Sequence, residues 1–387
     1  MGTVHRQTSN KTKLKGKAMK ISEWVSTGHP DKMADHISEY LLDRFIEQDP
    51  NTRFALEVQV KDNIVTIGGE VTTTANVEIE PCVRAAIRSI GYTDAYWAKW
   101  EGEIKPHKES CYMIQKTQDH CINPANVVVN TYINKQSPDI AQGVNKDGWG
   151  DQGIMFGMAT RDSAYGFMPK DYYLAKKIGK MLYRNYKEYD IGIDIKTQVV
   201  LDEEDKVIKV IVAAPMKTEK PKQQIEEDIR KLVGNCEIII NGTGAYVTHS
   251  SVADCGTTGR KLAVDFYGGN CQVGGGSPWT KDGTKADLAL NLYARYAAVK
   301  FMLDHPDEEV VYVKIGCCIG RKDIDITFAN AKGETIYDIT KEVSPESLIK
   351  LFGLREPNFA ALNKEGLFTI VDKLAIEDWK NTQPAGC

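Results

Sequence analysis

The residues in this chain best suited to chemistry are two lysines and an aspartate placed just after a glycine cluster. Gly274, Gly275 and Gly276 are followed by Lys281, Lys285 and Asp287. Glycines admit left-handed dihedrals and let backbone N–H groups approach an anion, and lysines on the following turns supply mobile positive charge. The residues after Asp287 read as a helix, so the pattern describes an anion cradle at a helix N-terminus, where phosphate is the commonest biological ligand. The same residues also describe tight turns with solvated lysines at a helix start. A Walker A loop is excluded, because the G-x-x-x-x-G-K-[ST] spacing is absent and Thr280 precedes Lys281. A second group is His29-Pro30-Asp31-Lys32. Pro30 suits a first helical turn, and Asp31 and Asp35, four apart, share one face near the helix's positive end. Such a pair can bind Mg²⁺ or simply stabilise that turn; the second reading leaves His29 and Lys32 unexplained. Glu57 interrupts the apolar run ALEVQV, so its carboxylate must face solvent, find a partner or bind a cation. Asp254, Arg260 and Lys261 surround two further glycines.

The elements that must position these groups are short and mixed. An extended piece broken at Ser26, Thr27 and Gly28 leads into a helix marked by Met33, Ile37, Tyr40, Leu41, Phe45 and Ile46. Residues 54–60 and 64–67 read as a hairpin, and Gly68 and Gly69 then place Glu70. A helix over 79–90 stops at Gly91, and a strand covers 126–133. The following stretch, KQSPDIAQGVNKDGWGDQGIMFGMATRD, is long, polar and glycine-rich, and reads as a functional lid carrying Gln136, Asp139 and Asp151. Then come a helix over 168–186, paired strands over 194–201 and 206–213 with Asp194 and Lys196 in the first, and a buried strand at EIII. A strong helix over 288–303, strands over 310–319 and 324–328, and a short helix over 345–352 complete the pattern. Helices mixed with hairpins, without regular βαβ spacing, predict an α+β fold over a doubly wound sheet.

A chain of 387 residues can form two or three domains. With 49 basic and 53 acidic residues, a formal charge of -4 gives no reason to expect nucleic acid as the main partner. No run of about 18 apolar residues occurs, so no membrane partner is expected. Nine cysteines without a C-x-x-C pair fit a reduced, cytoplasmic protein without structural zinc. Residues 1–19 carry basic side chains, no acid and no apolar core of a signal peptide, and read as a disordered basic extension.

Six collinear motifs resemble the S-adenosylmethionine synthetase (methionine adenosyltransferase) family. They are GHPDKxAD at 28–35, GGExTT at 68–73, KQSPDIxQGV at 135–144, GDQGxMFG at 150–157, TGRKxxVDxYGG at 258–269 and GGGxxxxKDxxKxD at 274–287. The resemblance implies three similar small α+β subdomains around a pseudo-threefold axis, mainly over 20–125, 126–255 and 256–387, with segments exchanged between them. It also implies homodimers, often paired into homotetramers, whose active sites lie between two subunits. The implied reaction is sulfur attack by L-methionine on C5′ of ATP, releasing tripolyphosphate that is then hydrolysed to phosphate and pyrophosphate. Matched positions imply His29, Lys196, Arg260, Lys261, Lys281 and Lys285 around the polyphosphate, and Asp151, Asp194 and Tyr246 around the nucleoside. Glu70, Gln136, Asp254 and Lys285 would hold methionine. Asp31 and Asp287 would ligate Mg²⁺, two ions per site, and Glu57 would hold K⁺.

The match loosens in places. The family's usual GGGAFSGKD reads GGGSPWTKD here, so that Pro278, Trp279 and Thr280 stand where Phe, Ser and Gly are usual, and Val273 stands where a histidine is usual. Altered loop geometry and methionine selectivity are therefore expected. Two other readings remain. A kinase-like phosphotransferase would use the same lysines and Mg²⁺ but needs a base beside the acceptor hydroxyl. A silent nucleotide-binding subunit has little use for His29, Asp31, Lys281 and Asp287 together.

Overall fold

The computed structural model describes residues 19–103, 120–135, 148–244 and 246–382. The basic extension up to residue 18, and Gln136 with most of its motif, lie outside them. In chain order the strands are β1 (Lys20–Val25), β2 (Arg53–Lys61), β3 (Ile64–Thr72), β4 (Val128–Asn134), β5 (Gly153–Thr160) and β6 (Lys196–Leu201). They continue with β7 (Val207–Ala213), β8 (Glu237–Ile240), β9 (Gly256–Thr257), β10 (Val310–Cys317), β11 (Asp323–Ala329) and β12 (Thr335–Glu342). These form three four-stranded sheets, ordered β1-β6-β7-β8, β4-β3-β2-β9 and β12-β11-β10-β5. The fold is α+β. Each sheet combines strands from distant parts of the chain: β1 joins the sheet of β6 to β8, β9 closes onto β2, and β5 closes onto β10.

Helix α1 (Pro30–Gln48) is the hub. Pro30 fixes its first turn, and the His29 ring caps it by accepting the Asp31 N–H at 3.1 Å. Met33, Ile37, Leu41, Leu42 and Phe45 pack into the large core shared by the β2 and β10 sheets. Its polar residues Asp31, Lys32, Asp35, His36, Ser38, Glu39 and Asp43 are buried too, against the usual wet face of an amphipathic helix. Every fourth residue from Asp31 to Asp43 is a carboxylate, and each accepts a backbone N–H from a segment distant in sequence, the first two from one turn. Asp31 takes Thr257 at 2.9 Å, Asp35 takes Gly259 at 2.9 Å, Glu39 takes Thr280 at 2.6 Å and Asp43 takes Phe359 at 2.8 Å. The face shared by Asp31 and Asp35 thus extends over three turns.

The structure corrects the lid reading in part. Gly153–Thr160 is not loop but strand β5, paired along its whole length with β10. Met155, Met158 and Ala159 are buried while Ile154 is exposed. Gly157 lets the helix Ala286–Asp304 sit directly on the strand, because a Cβ there would lie 2.3 Å from the Ala294 carbonyl oxygen. Gly157→Ala is expected to cost about 1–3 kcal/mol through overpacking. Urea unfolding checks this, and an unchanged midpoint would show that the helix can move away at no cost. β8 is a second correction. Only Ile240 of EIII is buried, because the strand lies at its sheet's edge. The hairpin, the helix Ile79–Ile90 with Gly91 at φ 118°, and the helix Pro345–Phe352 fall where the spacing predicts.

Candidate active site

The first group of functional side chains gathers where α1 begins. The β9 turn brings Arg260 and Lys261 to Asp31. Lys261 Nζ donates to Asp31 Oδ2 at 2.6 Å, and Arg260 lies 3.6 Å from Oδ1. Burial alone would raise the Asp31 carboxyl, but the Lys261 bond, the Thr257 N–H and the nearby charge hold it below the usual range. His29 is buried, and burial, followed by the charges of Lys196 and Lys261, pushes it down to about 3. The ring is therefore neutral at physiological pH. With Nδ1 accepting from Asp31 N–H, its proton sits on Nε2, which makes that nitrogen a donor.

Lys196 opens β6 opposite Val25. Two residues earlier, buried Asp194 accepts from the Tyr246 hydroxyl at 3.0 Å and the Ser250 N–H at 2.8 Å, while its Oδ1 has no partner among the described residues. Burial pushes Asp194 up to about 6, opposed by those two donors and by Lys196, and the charge of Asp254 adds to the rise. His29, Asp31, Lys196, Asp194, Tyr246, Asp254, Arg260 and Lys261 thus form one neighbourhood.

The second group lies at the start of the helix Ala286–Asp304. Lys285 stands at its N-cap, Asp287 in its first turn, and Lys281 Nζ pairs with Asp287 Oδ2. A Cβ on Gly276 would lie 2.0 Å from Asp287 Oδ1, so only glycine leaves the carboxylate where it is. Residues 280–282 run beside β2: Leu56 N–H donates to the Thr280 carbonyl at 3.2 Å, and Lys281 bridges Ala55. Ala55 faces Glu70 across the hairpin, and Asp151 and Asp287 both act electrostatically on Cys317. Glu57 joins the two groups, accepting from the hydroxyl of Thr258 and, at 3.2 Å, from that of Thr280. Among the described residues, no hydrogen bond or ion pair links Lys281, Lys285 or Asp287 to His29, Asp31, Lys196, Arg260 or Lys261. The site residues of one chain thus fall into two groups, here called half-sites, with Glu57 between them.

Lys32 and Trp279 acquire a structural account. Lys32 is buried between Asp35, at 2.9 Å, and Asp265, at 2.6 Å, with its ammonium 4.9 Å from the Trp279 ring centroid. Trp279 is buried in the core, and Thr280 takes φ 72°, where its hydroxyl reaches Glu57. Sequence reasoning missed Glu39, Asp43 and Asp265. The repeat Asp31, Asp35, Glu39, Asp43 at helical spacing was the available signal for the first two. No cluster of three or more His, Cys, Asp or Glu side chains is gathered for a metal among the described residues, and none of their helices is long and apolar enough to cross a membrane.

A three-sheet α+β scaffold that gathers basic side chains and isolated carboxylates at two helix N-termini has the charge supply of a protein that handles a polyanion. The chain matches the S-adenosylmethionine synthetase N-terminal domain over residues 17–106, the central domain over 146–250 and the C-terminal domain over 248–379. It is similar to the S-adenosylmethionine synthase of Mesoplasma florum, with 32% identity over 381 residues, covering 90% of this chain and 94% of that one. The synthase of Pseudothermotoga lettingae is 32% identical over 390 residues, covering 91% and 90%. An unusual S-adenosylmethionine synthetase from Campylobacter jejuni superimposes with a TM-score of 0.78 at 28% identity, covering 94% of this chain and 99% of that one. This chain belongs to the S-adenosylmethionine synthetase family. It is a divergent methionine adenosyltransferase, which makes S-adenosylmethionine from ATP and methionine.

Proposed function

We propose that the reaction is a direct displacement at C5′ of ATP by the methionine sulfur, with tripolyphosphate leaving intact and then being hydrolysed. The observation that carries this reading is the pairing of a neutral, donor-competent His29 with Lys196, Arg260 and Lys261 at one helix N-terminus. A thioether sulfur has a lone pair and no proton, so the attack needs no general base. The demand falls on orientation and on the leaving group, whose charge grows as the C5′–O bond breaks. His29 would donate from Nε2 to the leaving oxygen, while Arg260, Lys261, Lys196, Lys281 and Lys285 would hold the phosphates. Asp194 would accept from the ribose hydroxyls through its unpaired Oδ1, Tyr246 would stack on adenine, and Asp151 would lie near the adenosine. Asp254, Glu70 and Gln136, with Lys285, would hold methionine.

Asp31 and Asp287 offer hard oxygen donors in separate half-sites, which suits Mg²⁺, an ion usually held by one or two carboxylates together with substrate phosphates. Bound there, Mg²⁺ would neutralise the charge growing on the phosphate oxygens. Glu57 with the Thr258 and Thr280 hydroxyls offers an all-oxygen site suited to K⁺. The half-sites favour a homodimer in which the first group of one subunit meets the second group of the other; pairing of dimers into a tetramer would leave that arrangement intact. Glu57 and Glu70 share a sheet face with exposed Ile64, Val128 and Tyr132, and such a face is suited to a second copy.

The deciding experiment is incubation with ATP, methionine, Mg²⁺ and K⁺, with mass detection of the sulfonium and of the phosphate products. ADP as the nucleotide product would support the kinase-like alternative instead. A pH dependence also follows. Asp194 titrates at about 6, so the KM for ATP should rise about tenfold per unit as pH falls below that value, and Asp194→Asn should flatten the profile. Since its folded value lies above the unfolded 3.8, its contribution to stability runs the other way, present below about 4 and lost as pH rises through about 6.

A further inference from the structure

The two residues assigned to the nucleoside come from different stretches of chain: Asp194 lies just before β6, and Tyr246 lies beyond β8. What ties those stretches together underneath is buried and takes no part in the proposed displacement. Ile193, next to Asp194, donates its N–H to the Tyr96 hydroxyl oxygen at 3.2 Å. That oxygen lies 2.6 Å from Nε2 of His249, and Nδ1 of the same ring lies 2.6 Å from the carbonyl oxygen of Val247, next to Tyr246. Tyr96 belongs to the short helix Asp94–Ala98, and His249 stands just ahead of Ser250, whose N–H bonds Asp194.

These bonds run in one direction only. A carbonyl can only accept, so His249 Nδ1 carries the proton and Nε2 accepts from the Tyr96 O–H, which leaves the hydroxyl oxygen to accept from Ile193. Burial pushes His249 down to about 4, so the ring is neutral at physiological pH. It is also held in place, because Trp97 stacks on it at 5.1 Å and Trp100 meets it edge-on at 4.6 Å. The backbone makes room for the hydroxyl: a Cβ on Gly192 would lie 2.8 Å from the Tyr96 oxygen. A buried hydroxyl and imidazole add little net stability over an apolar pair of the same shape. What they add is position, since a shift of about 1 Å in either stretch breaks a bond.

We infer that Tyr96 and His249 are positioning residues for ATP, a buried pin that sets the spacing between Asp194 and Tyr246. The inference rests on the reading that those two hold the nucleoside. The pin also reaches toward the leaving group. A Cβ on Gly28 would lie 2.2 Å from the Ile193 carbonyl oxygen, and the hydroxyl of Tyr92, which stacks on Trp97, donates to the Gly28 carbonyl at 2.6 Å, beside His29.

The test is steady-state kinetics of Tyr96→Phe, which keeps the ring and removes the hydroxyl. KM for ATP is expected to rise about tenfold, with kcat and the KM for methionine within about twofold of the parent. Inhibition by free tripolyphosphate, which has no nucleoside, should be unchanged. A merely structural role would instead lower kcat, or weaken ATP, methionine and tripolyphosphate alike. Should Tyr96→Phe fail to fold, His249→Gln replaces it, keeping an acceptor for the Tyr96 hydroxyl and removing the donor to Val247, with the same split expected. An unchanged KM for ATP in a folded pin variant overturns the inference, and so does a uniform loss. Tyr246→Ala, measured in parallel, separates that failure from failure of the nucleoside reading. If it raises the KM for ATP, the reading stands without the pin; if it too changes nothing, the reading falls as well.

Discussion

Lys281→Ala is expected to lower turnover about a hundred- to a thousandfold while the fold stays intact, a loss of roughly 3–4 kcal/mol in transition-state stabilisation. The fold should survive because the backbone at this position is held from both sides. Asp282 Oδ2 accepts the Phe54 N–H at 2.8 Å and the Asp282 N–H donates to the Phe54 carbonyl at 3.2 Å, independently of the lysine side chain. The Lys281–Asp287 pair is partly exposed, and such pairs contribute at most about 1 kcal/mol. On the proposed displacement no base shares the work, so the rate should fall because each cation facing a leaving tripolyphosphate would carry a large part of it. Saturating turnover, with far-UV circular dichroism and urea unfolding as controls, checks this. A folded and fully active Lys281→Ala protein would remove the residue from the leaving-group role.

Lys32→Met should cost about 3–5 kcal/mol of stability near neutral pH, the usual consequence of stripping the partner from buried charge. Two buried carboxylates share this single ammonium. Even with it in place, burial pushes Asp35 up to about 6, with Lys32 lowering it and Asp265 raising it. Removing the ammonium, which lowers Asp35, raises that carboxyl further. The folded state then binds more protons than the unfolded chain below that raised value, so the deficit is full at high pH and narrows as pH falls toward about 5. Urea unfolding at pH 8 and pH 5 tests both parts. A deficit under about 1 kcal/mol, or one indifferent to pH, would show that the triad is not a buried charge cluster.

Much of this was legible in the chain and some was not, for physical reasons. Helices with their own stop signals, such as Ile79–Ile90 before Gly91, depend on local information and fall where the spacing places them. Strand β12 has no buried residue, so no alternation announced it, and the edge of its sheet had to come from pairing with β11. Strand β5 was hidden by its glycines, which read as loop until the helix Ala286–Asp304 is seen resting on Gly157. The site divides in the same way. His29, Asp31, Arg260 and Lys261 converge because the turn at β9 is tied to α1. That Lys281 pairs with Asp287 while Glu57 takes both the Thr258 and Thr280 hydroxyls is a property of three-dimensional packing, and residue spacing holds no record of it. Lys32 could not be read either, since its partner Asp265 is distant in sequence.

The carboxylates at Asp31, Asp35, Glu39 and Asp43 make α1 a measuring rod. Four residues advance a helix by about 6 Å, so the points at which loops are hung along it have a fixed pitch. One inserted residue between Asp31 and Asp43 would swing every later peg by about 100° and detach its loop. Substitutions within a loop, such as Pro278-Trp279-Thr280, leave the pegs where they are. Novelty in this enzyme can therefore accumulate in what hangs from the rod, and hardly at all in the rod's length.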